Sequence, residues 1–370
     1  MNIVVDGIIF EKNPHGGIAR IFNNILPIMC DMDPKLKITL FLRKNNLTNV
    51  PKHHQITTIS LGVVEKFRPL RLWKPYHKTI QKLIYRIHSE NSDKKIWLST
   101  YFTRPPINWK GKEVVWVYDM IYELFPRILP NSTSIINKKR ESIEKADEIY
   151  CISNATEMDL NRIYGNTVGK THVIHLSHDH IFKMNPNKEI KSEIPNHFIL
   201  FIGSRSRYKG FKTLLEAYSD WEKKDKVKLV AVGRPWNAEE ENLIVTTRLT
   251  ENIVLYESVS DEFLNDLYNN AEAFVYPSIY EGFGIPLLEA MACGCPVIAS
   301  RIPSTVEIAR EVPIYFEPNS TESLKIALNR LLTSKSLSER ITLGINRASE
   351  FSWEKTAKSF YMYLKELNVN

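Results

Sequence analysis

The chain has no run of 18 or more apolar residues, so a membrane-spanning helix is excluded from the reading. Its opening residues, MNIVVDGIIF, carry no basic n-region. They read as a first strand rather than a secretion signal. Cysteine is scarce. Cys30, Cys151, Cys293 and Cys295 are scattered, and the C-x-C of the last two has no second pair to complete a zinc site. That argues against a disulfide-stapled module and for packed thiols in a reduced, cytoplasmic setting. His172, His175, His178 and His180 crowd together, but their spacing is irregular. His172 and His175 fall on opposite faces of an expected strand, so solvated linker histidines are the plainer reading and no metal is expected.

What is present is a globular composition. Of the 370 residues 43% are apolar and 25% charged, enough for two domains of ordinary size. The charge is unevenly shared. Residues 1–180 hold 26 Lys and Arg against 17 Asp and Glu, while the whole chain has 49 against 42, so the first half faces something anionic. Lys66–His88 holds seven Lys or Arg and no acid. From Pro75 its apolar residues cluster on one side of an expected helix, with Lys78, Lys82 and Arg86 on the other. Such a helix fits an anionic membrane surface, or an ordinary domain surface with a solvated basic face.

Apolar runs predict strands at Asn2–Phe10, Lys37–Leu42, Ile56–Ser60, Ile96–Ser99, Val114–Val117, Glu148–Ile152 and His172–Leu176. Helical spacing follows Gly16-Gly17 and recurs at about Pro75–Ser89, Ser132–Ala146 and Asn154–Tyr164. The second half repeats the alternation, with strands at His197–Ile202, Lys228–Val232, Ile253–Tyr256, Ala273–Tyr276 and Val297–Ala299. Strand and helix in alternation mean parallel sheets covered by helices: two Rossmann-like α/β halves, joined by the polar, proline-flanked stretch around 177–196.

The densest stretch is Ala271–Ser300. An apolar strand, AFVY, ends at Pro277. A loop with Gly282 and Gly284 follows, then a helix that Pro286 can open and Gly294 can close. Glu281 lies in the loop and Glu289 on the helix. A loop feeding a helix from the end of a parallel strand is where such sheets bind phosphates. Glu281-Gly-Phe-Gly-Ile-Pro-Leu-Leu-Glu289 resembles the E-x7-E signature of the retaining glycosyltransferases of family 4, and YPSIYEGFGIPLLEAMACGCPVIAS is similar to that family's most specific segment.

The resemblance implies a GT-B architecture, two Rossmann-like domains facing a cleft. Residues 1–180 would bind the acceptor, 181–350 the nucleotide-sugar, and 351–370 would form a helix returning to the first domain. It also implies roles. His197-Phe-Ile-Leu-Phe-Ile-Gly203-Ser-Arg205-Ser-Arg207-Tyr-Lys209 resembles the segment in which one Arg and one Lys hold the donor's diphosphate, with Lys209 as the lysine and Arg205, or Arg207 with one residue of slippage, as the arginine. Fixed cations there would stabilise the charge gathering on the leaving group. Glu281 would meet the sugar and Glu289 the ribose hydroxyls. Gly16, Gly17, Gly203, Gly233, Gly282, Phe283, Gly284 and Ile285 would complete the donor contacts.

Asp119, past the strand Val114–Val117, matches the family's aspartate and is a candidate to orient or deprotonate the acceptor hydroxyl. Tyr118 stands where the family often has histidine, and a helix-capping Asp119 is the alternative. The expected reaction is retaining transfer of a hexose or deoxyhexose, such as mannose or rhamnose, from a GDP-, UDP- or dTDP-linked donor to a glycan or lipid-linked glycan. It would need no metal and no further cofactor, and would serve bacterial surface polysaccharide synthesis such as lipopolysaccharide O-antigen at the inner face of the cytoplasmic membrane. A sugar-nucleotide epimerase of the same fold and a non-catalytic paralogue are the alternatives. A glycosidase would have no use for the cation pair, and only the pI near 9.0 suggests nucleic acid.

Overall fold

The computed structural model describes residues 1–44, 47–60, 92–105, 108–129, 131–165, 167, 169–186, 191–333 and 336–369, so the basic stretch Lys66–His88 and the helix expected at Pro75–Ser89 lie outside the described residues. The chain divides into two compact units, Met1–Leu176 with Trp353–Asn370, and Ser177–Ser352.

In the first unit, strands β1 (Asn2–Asp6), β2 (Lys37–Leu42), β3 (Ile56–Ser60), β4 (Lys95–Ser99), β5 (Lys112–Val117), β6 (Glu148–Cys151) and β7 (Thr171–Val173) form a parallel sheet in the order β3-β2-β1-β4-β5-β6-β7. In the second, β8 (Phe198–Ile202), β9 (Lys228–Val232), β10 (Ile253–Tyr256), β11 (Ala273–Tyr276), β12 (Val297–Ser300) and β13 (Ile314–Phe316) repeat that winding as β10-β9-β8-β11-β12-β13. Both are doubly wound, Rossmann-like α/β units. The central strands are covered on both faces, so they carry continuous apolar runs: every residue of β11 is buried. The strand order reverses between β1 and β4, and again between β8 and β11. The loops leaving those strand pairs diverge, and ligands of such sheets bind there.

Three elements depart from the sequence expectation, the strand expected at His172–Leu176 being one, since β7 ends at Val173. The first strand stops at Asp6 and not at Phe10, because Asp6 Oδ1 accepts the Ile8 N–H at 3.2 Å and Ile8–Lys12 turns into a helix that buries Ile9 and Phe10. β13 adds an edge strand that the apolar pattern does not announce.

The helix Trp353–Val369 groups with the first unit. Trp353, Ala357, Phe360, Leu364 and Leu367 recur at steps of four and three and are all buried, one stripe of a helix. Phe360 meets Trp116 and Tyr150 edge-on at 5.1 and 4.9 Å, and Tyr361 donates to Asp33 at 2.9 Å. Among the described residues no helix is long and apolar enough to cross a membrane.

Candidate active site

The loops leaving β8 and β11 are joined backbone to backbone. Ile279 N–H donates to the Tyr208 carbonyl at 2.8 Å. Gly210 closes the short 3-10 turn Arg207–Lys209 with φ +68°, and a Cβ there would stand 1.9 Å from the Pro277 carbonyl oxygen. Glycine is required twice over, by dihedral and by space. The consequence is chemical. Lys209, one residue earlier, is delivered to the β11 loop, where its Nζ lies 2.6 Å from Glu281 Oε1, the lysine side chain 20% and the glutamate side chain 12% exposed.

Tyr276, the last residue of β11, lies beneath this pair. Its buried hydroxyl is within electrostatic reach of the Glu281 carboxylate. Its ring centroid is 6.0 Å from Lys209 Nζ. Burial first, and the Glu281 carboxylate next, hold the Tyr276 phenol far above its usual range, so the hydroxyl keeps its proton. Gly284, at φ +106°, passes over the same ring, and a Cβ there would lie 3.6 Å from Tyr276 Cε1.

Helix Ile285–Ala292 begins at Gly284 with Pro286 in its first turn, where a missing N–H costs nothing. Gly294 ends it at φ +68°, and Cys295 N–H returns to the Ala290 carbonyl at 2.9 Å. Glu289 is buried on this helix at 4% exposure, and its Oε2 accepts the Tyr268 hydroxyl at 3.0 Å. Burial and Glu289 likewise push the Tyr268 phenol far up. Glu289 thus has a buried tyrosine as a partner, where Glu281 has Lys209. Phe283 points into the core, edge-on to Phe351 at 6.1 Å, which leaves only its backbone for a donor contact. Gly282 is buried and Ile285 half-buried at the helix start.

Arg205 is not brought to Lys209 and Glu281. Its Nε donates to Glu240 at 2.9 Å and its Nη2 to the Arg234 and Pro235 carbonyls at 2.6 and 2.8 Å. The guanidinium lies 4.5 Å from the Trp236 ring centroid, and Trp236 stacks on Phe211 at 5.6 Å. It clasps the β8 loop to the β9 loop. Nη1 alone has no hydrogen-bond partner among the described residues; it is buried 2.8 Å from where a Gly233 Cβ would stand. Gly203, at φ +130°, leaves open space on its Cβ side. Arg205, Gly203 and Gly233 therefore form one group, Lys209 and Glu281 another. Arg207 is exposed on the 3-10 turn.

The remaining sequence candidates are in the first unit. Gly16 precedes helix Gly17–Met32 with an ordinary φ of −82°, and a Cβ there would stand nearest the Asn13 side chain, at 2.2 Å. Gly17 is exposed. Asp119 follows β5, and its Oδ1 accepts the Ile121 N–H at 3.1 Å, starting the short helix Ile121–Leu124. Lys139, its side chain 1% exposed, braces this turn through the Asp119 carbonyl at 2.9 Å and the Glu123 carboxylate at 2.8 Å. Tyr118 is buried and donates to the Thr100 carbonyl at 2.8 Å, and burial holds its phenol far up, so it stores no exchangeable charge in the histidine position. Sequence reasoning missed Tyr276, Tyr268, Glu240 and Lys139; Tyr276 alone lay inside a quoted motif. Among the described residues no three His, Cys, Asp or Glu side chains gather as a metal site.

A family model described as glycosyl transferases group 1 matches residues 185–344. O-antigen chain mannosyltransferase B of Escherichia coli is 35% identical over 162 residues, 42% of this chain and 42% of that protein, so the chain spans less than half of that relative. O-antigen chain mannosyltransferase RfbU of Salmonella typhimurium is 24% identical over 266 residues, 72% of each. Among solved structures, Anabaena Alr3699/HepE in complex with UDP and glucose superposes with a TM-score of 0.75 at 16% identity, over 98% of this chain and 99% of that one, a likeness of fold.

Proposed function

We propose that this chain is a retaining, metal-independent glycosyltransferase of the family 4 type that moves a hexose from a nucleotide-sugar to a hydroxyl of a glycan or lipid-linked glycan. The observation that carries the reading is the Lys209–Glu281 pair, a cation and a carboxylate held 2.6 Å apart at the strand-order reversal of the second unit. Breaking the bond between the sugar's anomeric carbon and the diphosphate sends the electron pair to the phosphate. Lys209 is a cation held on Glu281 at 2.6 Å. The ammonium meets that charge, with the backbone N–H groups at Gly284 adding to it.

Glu281 keeps lone pairs for sugar hydroxyls and for oxocarbenium character. Glu289 serves the vicinal ribose hydroxyls. Arg205 supports the site mainly as the clasp of its loops, with Nη1 the nitrogen left for the donor. The acceptor oxygen attacks on the face the phosphate leaves, and its proton goes to a departing phosphate oxygen. Asp119, one carboxylate oxygen of which accepts the Ile121 N–H, is the candidate acceptor-binding residue of the first unit. The names of the relatives favour mannose as the sugar, with GDP, UDP or dTDP as carrier, and a surface-polysaccharide acceptor built at the cytoplasmic face of a membrane. The unopposed positive charge of Lys66–His88 supports contact with anionic lipid there.

Thermal-shift screening against GDP-mannose, UDP-glucose, UDP-N-acetylglucosamine and dTDP-rhamnose tests donor binding, and the anomeric configuration of the product tests retention. Stabilisation by one of the four is expected; none, or an inverted product, contradicts the reading.

A further inference from the structure

The outer edge of the second sheet carries a cavity of about 300 Å³ that lies along β13 and shares no lining residue with the candidate active site. Three arginines from three elements line it. Arg301 directly follows β12, Arg330 is on helix Thr321–Thr333 and Arg340 on helix Leu337–Ser349. Tyr315 of β13 and Glu311, just before that strand, complete the polar wall. The second half of the chain holds slightly more acid than base, so three guanidiniums at one cavity stand out from the charge around them.

The groups are held in place. Arg340 Nη1 donates to the Glu311, Val312 and Pro313 carbonyls at 2.8, 3.1 and 3.2 Å, which pins the guanidinium at the entry to β13. The Arg301 guanidinium lies 4.5 Å from the Tyr315 ring centroid. That ring is anchored in turn, its hydroxyl bonded to the Thr305 and Arg310 carbonyls at 3.2 and 2.6 Å. Among the described residues neither Arg301 nor Arg340 has a carboxylate partner. Backbone carbonyls explain the orientation of Arg340, but no acid answers the charge of either residue.

A planar guanidinium meets phosphate through two parallel N–H groups, which adds shape to charge. The cavity has the volume of the smaller ligand pockets, more than a bare phosphate fills. Its one aromatic ring is covered by Arg301, which disfavours a stacked nucleotide base. Glu311 repels a second phosphate and accepts from hydroxyl groups. We propose that this cavity is a second anion site, one that takes a phosphate monoester of sugar-phosphate size, with the phosphate on Arg301, Arg330 and Arg340 and the hydroxyls toward Glu311. The site stands apart from the nucleotide-sugar reading and does not depend on it. Its occupant joins three elements, so binding raises the melting temperature.

The test is calorimetric titration of the full chain with glucose 6-phosphate, mannose 6-phosphate, inorganic phosphate and unphosphorylated glucose, with a thermal melt of each variant. Wild type is expected to bind at least one sugar phosphate about tenfold or more tighter than inorganic phosphate, the size of a hydrogen bond to a charged group, and to ignore glucose. Arg301→Gln combined with Arg330→Gln should weaken that binding about tenfold or more. Both side chains are exposed, so the melting temperature without ligand should not move. Arg301→Lys keeps the charge and loses the fork, and should weaken binding by a smaller factor; if the double variant melts low, this variant decides. Glu311→Ala is expected to narrow the preference over inorganic phosphate. Lys209→Ala should bind as wild type does, which separates the cavity from the donor site. No binding of either sugar phosphate, equal affinity for inorganic phosphate, or undiminished affinity in the arginine variants overturns the proposal. So does an unchanged preference in Glu311→Ala, or loss of binding in Lys209→Ala.

Discussion

Gly210 stands so close to Pro277 that a single added carbon would lie 1.9 Å from the proline's carbonyl oxygen. The two functional loops of the second unit are therefore fitted to each other through backbone, and the 2.6 Å approach of Lys209 to Glu281 follows from that fit.

Gly210→Ala tests this directly. The alanine must adopt φ +68° and also displace backbone, which costs ~3 kcal/mol or more. A fall in melting temperature with loss of donor turnover is expected. An alanine variant that melts like wild type contradicts the account of the loop junction.

Arg205→Ala should act first on stability. It leaves Glu240, its side chain 12% exposed, without its cation and two carbonyls without their donor, a loss of about 3 kcal/mol. Arg205→Lys recovers part of this, since an ammonium cannot span Glu240 and both carbonyls or lie flat on Trp236. Chemical denaturation measures both. Wild-type stability in Arg205→Ala would show that the clasp carries no weight.

The cysteines should be silent in the folded protein. All four are buried, and burial, then Asp31 and Asp33, pushes the Cys30 thiol up to about 12. Burial also raises Cys151 and Cys293. A raised thiol value favours the protonated, folded form, so this contribution is complete below the ordinary value of 9.0 and is lost as pH climbs toward about 12, where the unfolded chain has released protons that the native one keeps. Thiol titration with a disulfide reagent at a pH of about 8 should detect no cysteine before denaturant is added and all of them after. Urea midpoints should fall as pH rises from 9.0 to about 12. Rapid native reaction, or midpoints that rise across that window, contradicts the packing.

How far the sequence announces this structure depends on the kind of signal. β8, β9 and β11 are legible because strands covered on both faces must be apolar throughout, and the half-buried edge strand β10 still carries Ile253, Val254 and Leu255. Ile8–Lys12 is hidden by the same rule, since Ile8, Ile9 and Phe10 prolong the apolar run of β1 and only the Asp6 side chain marks the turn into a helix. β13 is three residues behind Pro313, too short to show a period. Lys209 and Glu281 are legible as charges beside glycines at strand ends. The orientation of Arg205 is not, because Glu240 lies 35 residues further on and only the folded sheet brings β9's loop to β8's. Tyr268 fails for the same reason: its partner Glu289 lies 21 residues away on another helix.

The most direct measurement is steady-state release of nucleoside diphosphate from the donor that stabilises the protein, compared among wild type, Lys209→Ala and Glu281→Gln. If Lys209 meets the leaving group and Glu281 the sugar, as proposed, each variant should retain its fold and lose ~100-fold or more in kcat/KM. Near-wild-type turnover by both would contradict the placement of the active site at the Lys209–Glu281 pair.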